Sequence, residues 1–267
     1  MERAETRLFP ALLRFWRTRR GHSQLDLALA ADVSARHISF LETGRAQPSR
    51  SMALLLGSVL RIPLRDQNTM LEAAGFAREF PEPGLGGELP EGVVRAIDLM
   101  MTRHEPFPLM LVDGDYNVLR SNAGAARLLQ RFQHHRECSD RPNLFRMLFD
   151  PRLLRPYVAD WPRIAHALVA RLHRESLSGP SGNLRELLQS LFEYPGVPES
   201  WRLPDFTAEV EPALTLRLRR DDYDLSFLTT TTAFSAPQNV TLEELRIESY
   251  YPLNETTVSA CERLARE

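Results

Sequence analysis

Lysine is missing altogether: every one of the 33 basic residues is arginine. That absence reads first as the codon bias of a GC-rich bacterial genome, and second as selection for the planar guanidinium fork that grips phosphate and guanine. Cysteine is scarce. Cys138 and Cys261 stand far apart with no Cys-x-x-Cys or Cys/His spacing, so neither a disulfide framework nor a zinc site is indicated and both are expected to be free thiols. No apolar run approaches the roughly 18 residues that a membrane span needs. The start of the chain, Met1 to Arg7, lacks the basic-then-apolar order of a secretion signal, and a cytoplasmic protein with no membrane partner is expected. Catalytic signatures are missing too: there is no GxSxG elbow, no HExxH and no phosphate loop, and His134-His135 reads as a solvated pair in a polar loop. The expectation is no enzyme, no catalytic residue, no metal site and no cofactor.

What is present is ordinary globular composition, 43% hydrophobic and 25% charged over 267 residues, enough for two cores. Charge divides unevenly. Residues 1–80 carry a net +4 and the remainder −6, as befits a basic nucleic-acid module joined to an acidic second module. Between them "REFPEPGLGGELPEG", Arg78 to Gly92, holds three prolines and four glycines, which marks a boundary. The expected division is 1–78, a linker at 79–92, and 93–267.

Before the boundary the periodicity is helical throughout. Leu12, Leu13 and Trp16 share a helix over Leu8 to Arg20; Met52, Leu55, Leu56 and Val59 share one over Ser49 to Leu60; another runs from Leu64 to Ala74, ending at Gly75. Between the first two, "SQLDLALAADVSARHISFLETGRAQPS" reads as two short helices with a three-residue break. Ser23 with Asp26 forms a capping-box pattern, Ser34 caps the second helix, and Gly44 suits the left-handed conformation that closes it. Ala28 is the small residue that lets the pair cross closely. This is a helix-turn-helix arrangement within an all-α domain of five helices.

In that arrangement the second helix enters the major groove, about 12 Å wide, while the first braces it on the backbone. Ala35, Arg36, His37 and Ser39 are the residues expected at base edges, with Arg36 foremost because a bidentate arginine–guanine pair is the commonest specific contact. Gln24, Ser34, Arg45 and Arg50 are expected on phosphates. A module this small implies a homodimer on palindromic or paired half-sites of double-stranded DNA about 34 Å apart.

After the boundary, Pro90 to His104 reads as a helix; "FPLMLVD" and "YNVLRSN" read as strands joined by Asp113-Gly114-Asp115; Asn122 caps a helix through Gln130. A helical middle follows at 143–149, Asp160 to Leu177 and Leu184 to Phe192. The last third returns to strands in "ALTLRLRR", with Leu214, Leu216 and Leu218 inward, in "DLSFLTTTTAF" and in "LEELRIESYYPL", then a helix from Asn254. The expectation is an α+β domain with an antiparallel sheet.

Gln24, Ala28, Val33-Ser34, Ile38-Ser39 and "LETGRAQPS" resemble the Cro-type, xenobiotic-response-element group of helix-turn-helix proteins. One departure is Asp32 at the turn position usually held by glycine; aspartate tolerates positive φ better than most residues, so the turn is expected to survive with some strain. The order of elements after residue 90 resembles a PAS-type sensor fold. More specifically, "RHEPFPLMLVDGDYNVLRSNAGAARLL", "NLFRMLFDPRLLRPYVADW" and "VTLEELRIESYYPLNE" resemble the MmyB-like regulators. That resemblance implies a transcription regulator with a PAS-like ligand-binding domain that answers to a small apolar ligand such as a fatty acid. Burying a dozen methylenes contributes roughly 10 kcal/mol gross, at about 0.8 per CH₂. The pocket is expected between the sheet and the helical middle. Its strand-side lining is Phe107, Leu109, Leu111, Leu216 and Phe227, and its helix-side lining Phe145, Phe149, Trp161 and Leu168; His104 or Arg155 is the expected carboxylate anchor. The competing reading is a DNA-tethered adaptor whose acidic tail docks another protein and holds no small molecule.

Overall fold

The computed structural model describes residues 8–82, 89–132, 142–178, 182–204, 214–235 and 237–267. Met1 to Arg7, the His134-His135 pair, Cys138 and the centre of the linker at 83–88 lie outside the described residues. Two compact units form: Met1–Pro83 with Ala236–Glu243, and Gly84–Ser235 with Glu244–Glu267.

The first unit is helical: α1 (Leu8–Arg19), α2 (Gln24–Ala30), α3 (Ala35–Glu42), α4 (Arg50–Val59) and α5 (Leu64–Ala73). Each helix buries one stripe, and Phe9, Leu13, Trp16, Leu27, Ile38 and Leu56 are among the residues that meet in a single core. The caps expected from sequence are in place. Ser23 accepts from the Asp26 N–H and the Asp26 carboxylate accepts from the Ser23 N–H, a reciprocal box at the start of α2. Ser34 and Ser49 cap α3 and α4 one way only, accepting from the N–H groups of His37 and Met52. Asp32 adopts φ +52° in the turn and Gly44 φ +71° after α3. The left-handed turn at Asp32 lets the Val33 N–H reach the Ala28 carbonyl at 2.9 Å, closing α2 so that α3 can start at once.

The segment 79–80, placed in the linker by composition, is fastened to α5. Asn68, buried to 1% exposure, accepts from the N–H groups of Glu79 and Phe80 and donates to the Phe80 carbonyl. A short helix from the distal part of the chain, α11 (Val240–Glu244), belongs mostly to this unit as well. Pro63 precedes α5 and supplies no side-chain cap; the Glu243 carboxylate accepts from the Leu64 N–H at 2.6 Å instead. A carboxylate at a helix N-terminus satisfies an orphan donor and meets the positive end of the dipole.

The second unit is α+β. α6 (Glu91–His104) leads to β1 (Leu109–Val112), β2 (Val118–Ser121), α7 (Ala123–Phe132), α8 (Leu144–Phe149), α9 (Trp161–Ser178) and α10 (Gly182–Leu191). β3 (Leu214–Arg220), β4 (Tyr223–Ala233), β5 (Arg246–Pro252) and α12 (Glu255–Arg266) complete it. The five strands form one antiparallel sheet in the order β2-β1-β5-β4-β3. β5 lies at the centre, where Ile247, Glu248, Ser249 and Tyr250 are all buried, so neither of its faces meets water there. The sequence pattern runs this strand back to Leu242; the structure turns residues up to Glu244 into α11 and starts the strand at Arg246. On β3, Leu216 and Leu218 point inward and Arg217 and Arg219 outward, as the alternation requires.

Asn122 welds strand to helix. Its side-chain oxygen accepts from the N–H groups of Leu109 and Ala125, both at 2.9 Å, and its amide donates to the Phe107 carbonyl at 2.8 Å. Two residues on, the backbone of Gly124 lies so close to the chain at Pro106 that a Cβ would sit 2.4 Å from the Pro106 oxygen. That atom belongs to the backbone and cannot swing away. Gly124→Ala is therefore expected to destabilise the α+β unit by about 2–3 kcal/mol through overpacking, read as a lowered midpoint in urea denaturation. Ser23→Ala, which removes half of a capping box, should cost the helical unit about 1 kcal/mol in the same assay.

Candidate nucleic-acid interface and ligand cavity

α3 can present a fixed face only if its inner side is anchored. Ile38 and Leu41 are fully buried in the core. At its C-terminal end Glu42, with a side chain 2% exposed, accepts from Arg17 of α1 at 2.5 and 3.0 Å and from the Gln24 amide of α2 at 2.8 Å. Arg17 also donates to the His22 carbonyl at 2.7 Å. One carboxylate thus ties two helices, α1 and α2, behind the one that faces outward, and pairing with Glu42 raises the Arg17 pKa further above its already high ordinary value.

The residues expected at base edges fall as follows. Arg36 is exposed; His37 and Ser39 are half-buried; Ala35 packs partly against the core. Arg36 stacks over the Phe40 ring at 5.1 Å and Arg45 lies 6.0 Å from the same ring. Arg36, Ser39, Phe40 and Thr43 follow the i, i+3, i+4, i+7 rule and share a face. Phe40 was not legible as a functional residue, because an aromatic at that spacing reads as core; its partial exposure between two guanidinium groups makes it a platform that limits their freedom.

Of the residues expected on phosphates, Ser34 caps α3 through the His37 N–H at 3.1 Å, which uses its oxygen and leaves its hydroxyl hydrogen to donate. Gln24 spends one amide N–H on Glu42 and keeps the other. Arg45 is exposed. Arg50 is ion-paired with Glu79, so a phosphate there must compete with a carboxylate already in place.

In the second unit a cavity of about 30 Å³ lies between the sheet and the helical middle. Leu144, Phe145 and Leu148 of α8 and Ile164 and Leu168 of α9 form one side of it; Leu214 and Leu216 of β3 form another. Thr229, Tyr250, Glu248 and Arg171 close its polar end. Of the lining expected from sequence, Phe145, Leu168 and Leu216 border this space. Phe107, Leu109, Leu111, Phe149, Trp161 and Phe227 do not. Phe149 packs edge-on against Trp161, and Phe227 stands behind Tyr250 with ring centroids 6.0 Å apart.

Neither expected anchor reaches the cavity. His104 Nε2 meets the Tyr250 carbonyl at 3.0 Å, on the backbone. Arg155 donates to the carbonyls of Pro195 and Phe149 and stacks 3.6 Å over Trp161, in surroundings whose burial lowers its pKa. The charged groups that do line the space are Arg171, in an apolar helical pattern, and Glu248, in the middle of "RIESYYPL". A charge inside an otherwise apolar run was the signal available in the sequence, because an ionised group is buried only with a partner.

A larger hollow of about 720 Å³ lies among α6, β2, α7 and α12, bounded by Arg120, Arg127, Arg266, Glu105 and Glu262. Its charged rim gives an apolar molecule little reason to leave water. Among the described residues no group of His, Cys, Asp and Glu is arranged to hold a metal, and no helix is long and apolar enough to cross a membrane. Cys261 is a buried free thiol whose pKa burial pushes up to about 11, so it is no thiolate nucleophile near neutrality.

The family described as "MmyB-like transcription regulator ligand binding domain" matches residues 93–264. The chain belongs to the MmyB-like transcription regulators. The "Helix-turn-helix" family matches residues 13–67, which covers α2, α3 and their brace. In this regulator the helical unit is accordingly a DNA-binding domain and the α+β unit a PAS-like ligand-binding domain; the matching families are regulator domains, not enzymes. No curated protein matches. Among solved structures, an "RNA-binding Light-Oxygen-Voltage Receptor" aligns at 12% identity over 97% of this chain and 62% of that one, with a TM-score of 0.26, too low for the likeness to carry weight.

Removing the Glu42 carboxylate would strand Arg17 without its partner. Glu42→Ala is expected to destabilise the helical unit by about 3 kcal/mol, measured by chemical denaturation.

Proposed function

We propose that the regulator binds DNA as a homodimer, reads base edges through Arg36 with His37 and Ser39 beside it and Ala35 in van der Waals contact, and holds the backbone through Gln24, Ser34, Arg45 and Arg50. The observation that carries this reading is the exposed Arg36 side chain at the first turn of a helix whose opposite side is locked by Glu42. Half-sites about 34 Å apart follow from placing two such helices on one face of B-DNA. The second unit supplies the dimer contact, since one module of this size buries too little DNA for tight binding.

The same reading gives the second unit a small amphipathic or apolar ligand of fatty-acid size, held between the sheet and α8 and α9. Control then requires that the ligand bind one DNA-competence state of the dimer more tightly than the other. One observation favours the adaptor reading instead: a space of about 30 Å³ is one water's share of liquid, so the interior is nearly filled as it stands. Native mass spectrometry of the full chain separates the two, with a dimer carrying a co-purified small molecule supporting the first and an empty protein the second.

Base and phosphate roles separate in a binding assay on duplexes selected from a random library. Arg36→Ala should lower affinity for the selected sequence by about 1–3 kcal/mol and erase preference at one base position. Arg45→Ala should weaken binding to all duplexes alike and reduce the slope of log K against log salt by about 1 per protomer. An Arg36→Ala protein that selects the same sequence with the same preference refutes the base-reading role.

A further inference from the structure

α3 carries three large apolar side chains. Ile38 and Leu41 enter the core of the helical unit, and Phe40 does not. Two residues past Ile38, on a helix of 3.6 residues per turn, Phe40 falls on the opposite side. It stands half-buried with two guanidinium groups against its ring, Arg36 at 5.1 Å and Arg45 at 6.0 Å from the centroid. Nearly one turn further along the same face, the Thr43 hydroxyl donates to the Ser39 carbonyl at 2.8 Å, which spends its one hydrogen inside the helix. The centre of the outward face is therefore an apolar ring with a cation on its N-terminal side and, beyond it, a hydroxyl with no hydrogen left to donate. Base edges in the major groove offer one apolar group, the C5-methyl of thymine; the other groups there are donors and acceptors. A ring gains by covering the methyl and loses by covering an amino or carbonyl group, because it takes away water and supplies no partner.

We propose that Phe40 is a specificity-determining residue whose ring meets the C5-methyl of a thymine next to, or one pair beyond, the guanine read by Arg36. The proposal rests on the base-reading role proposed for Arg36 and deepens it by adding a second base. Four residues of α-helix rise about 6 Å and successive base pairs about 3.4 Å, so the thymine falls within two base pairs of the guanine. A guanidinium reads guanine with the edge of its plane and stacks with its face, so Arg36 can keep its place on the ring while both side chains engage the duplex. Cytosine at the thymine position would bring an amino donor and no methyl against the ring. A ring that served only as a rest for Arg36 would be indifferent to the methyl, and that difference separates the two roles.

The test uses the full chain and the duplex it selects from a random library, with the guanine located as the position where Arg36→Ala loses preference. Each thymine within two base pairs of that guanine, on either strand, is then replaced by deoxyuridine, which removes the methyl and nothing else. One such replacement is expected to weaken binding of the parent about fourfold, the worth of one methyl group leaving water. Phe40→Ala should bind the thymine and deoxyuridine duplexes equally while still preferring the guanine. Phe40→Leu, which keeps an apolar tip without the ring, should retain about a twofold response to the methyl. A parent protein that binds every deoxyuridine duplex as tightly as the original, or selects no thymine in that window, overturns the Phe40 assignment by itself, whether or not either variant folds, and leaves Arg36 as a base reader. A Phe40→Ala protein as sensitive to the methyl as the parent overturns it too, since another group then reads the methyl. An Arg36→Ala protein that selects the parent's sequence overturns the assignment together with the base-reading role on which it rests.

Discussion

A carboxylate taken out of water is tolerated only where a cation and hydrogen-bond donors meet it, and each unit of this regulator is organised round one such group. In the helical unit it is Glu42, gripped by Arg17 and Gln24. In the α+β unit it is Glu248 on the central strand, answered by Arg171 from α9. The two are used differently. Glu42 is saturated on all sides and serves as a rivet: three helices converge on it, and the outward face of α3 inherits their rigidity. Glu248 shares Arg171 with Glu175 and borders the cavity between the sheet and the helical middle.

The rivet would let so short a helix serve in the base-reading role proposed for it. Eight residues of α3 have little helical stability alone. Their conformation is set from outside, by Ser34 at one end, by Glu42 at the other, and by Ile38 and Leu41 beneath. Arg36 then needs only Phe40 beside it to restrict its own rotamers. Affinity for DNA follows from charge, which the helical unit has in modest excess; under the proposed role of Arg36, selectivity would depend on how narrowly that guanidinium is held.

The α+β unit shows the same economy with its backbone. Asn122 closes three hydrogen bonds at the junction of β1 and α7, and Gly124 permits an approach that any side chain forbids. These residues fix where α7 lies on the sheet. Burial of Tyr116 and Tyr250 raises both hydroxyl pKa values above the ordinary range, so both stay protonated as hydrogen-bond donors throughout the physiological range.

Local chemistry was legible from the chain. The Ser23–Asp26 box, the Ser34 cap, the left-handed Asp32 and Gly44, and the alternation of Leu216 and Leu218 depend on neighbours within a few residues, and those neighbours are written next to them. So were the fold class and the position of the recognition helix. What only the tertiary structure decided is which distant groups meet. Glu42 reaches back 25 residues to Arg17, and Glu248 reaches back 77 to Arg171. His104 and Arg155, plausible anchors by type, are turned to backbone carbonyls, and the segment Ala236–Glu243 groups with the helical unit, where Glu243 caps α5. Helical and strand periodicity ranks residues by which side they face, but carries no information on what stands opposite. A buried charge is defined by its partner, and the partner is chosen by the fold.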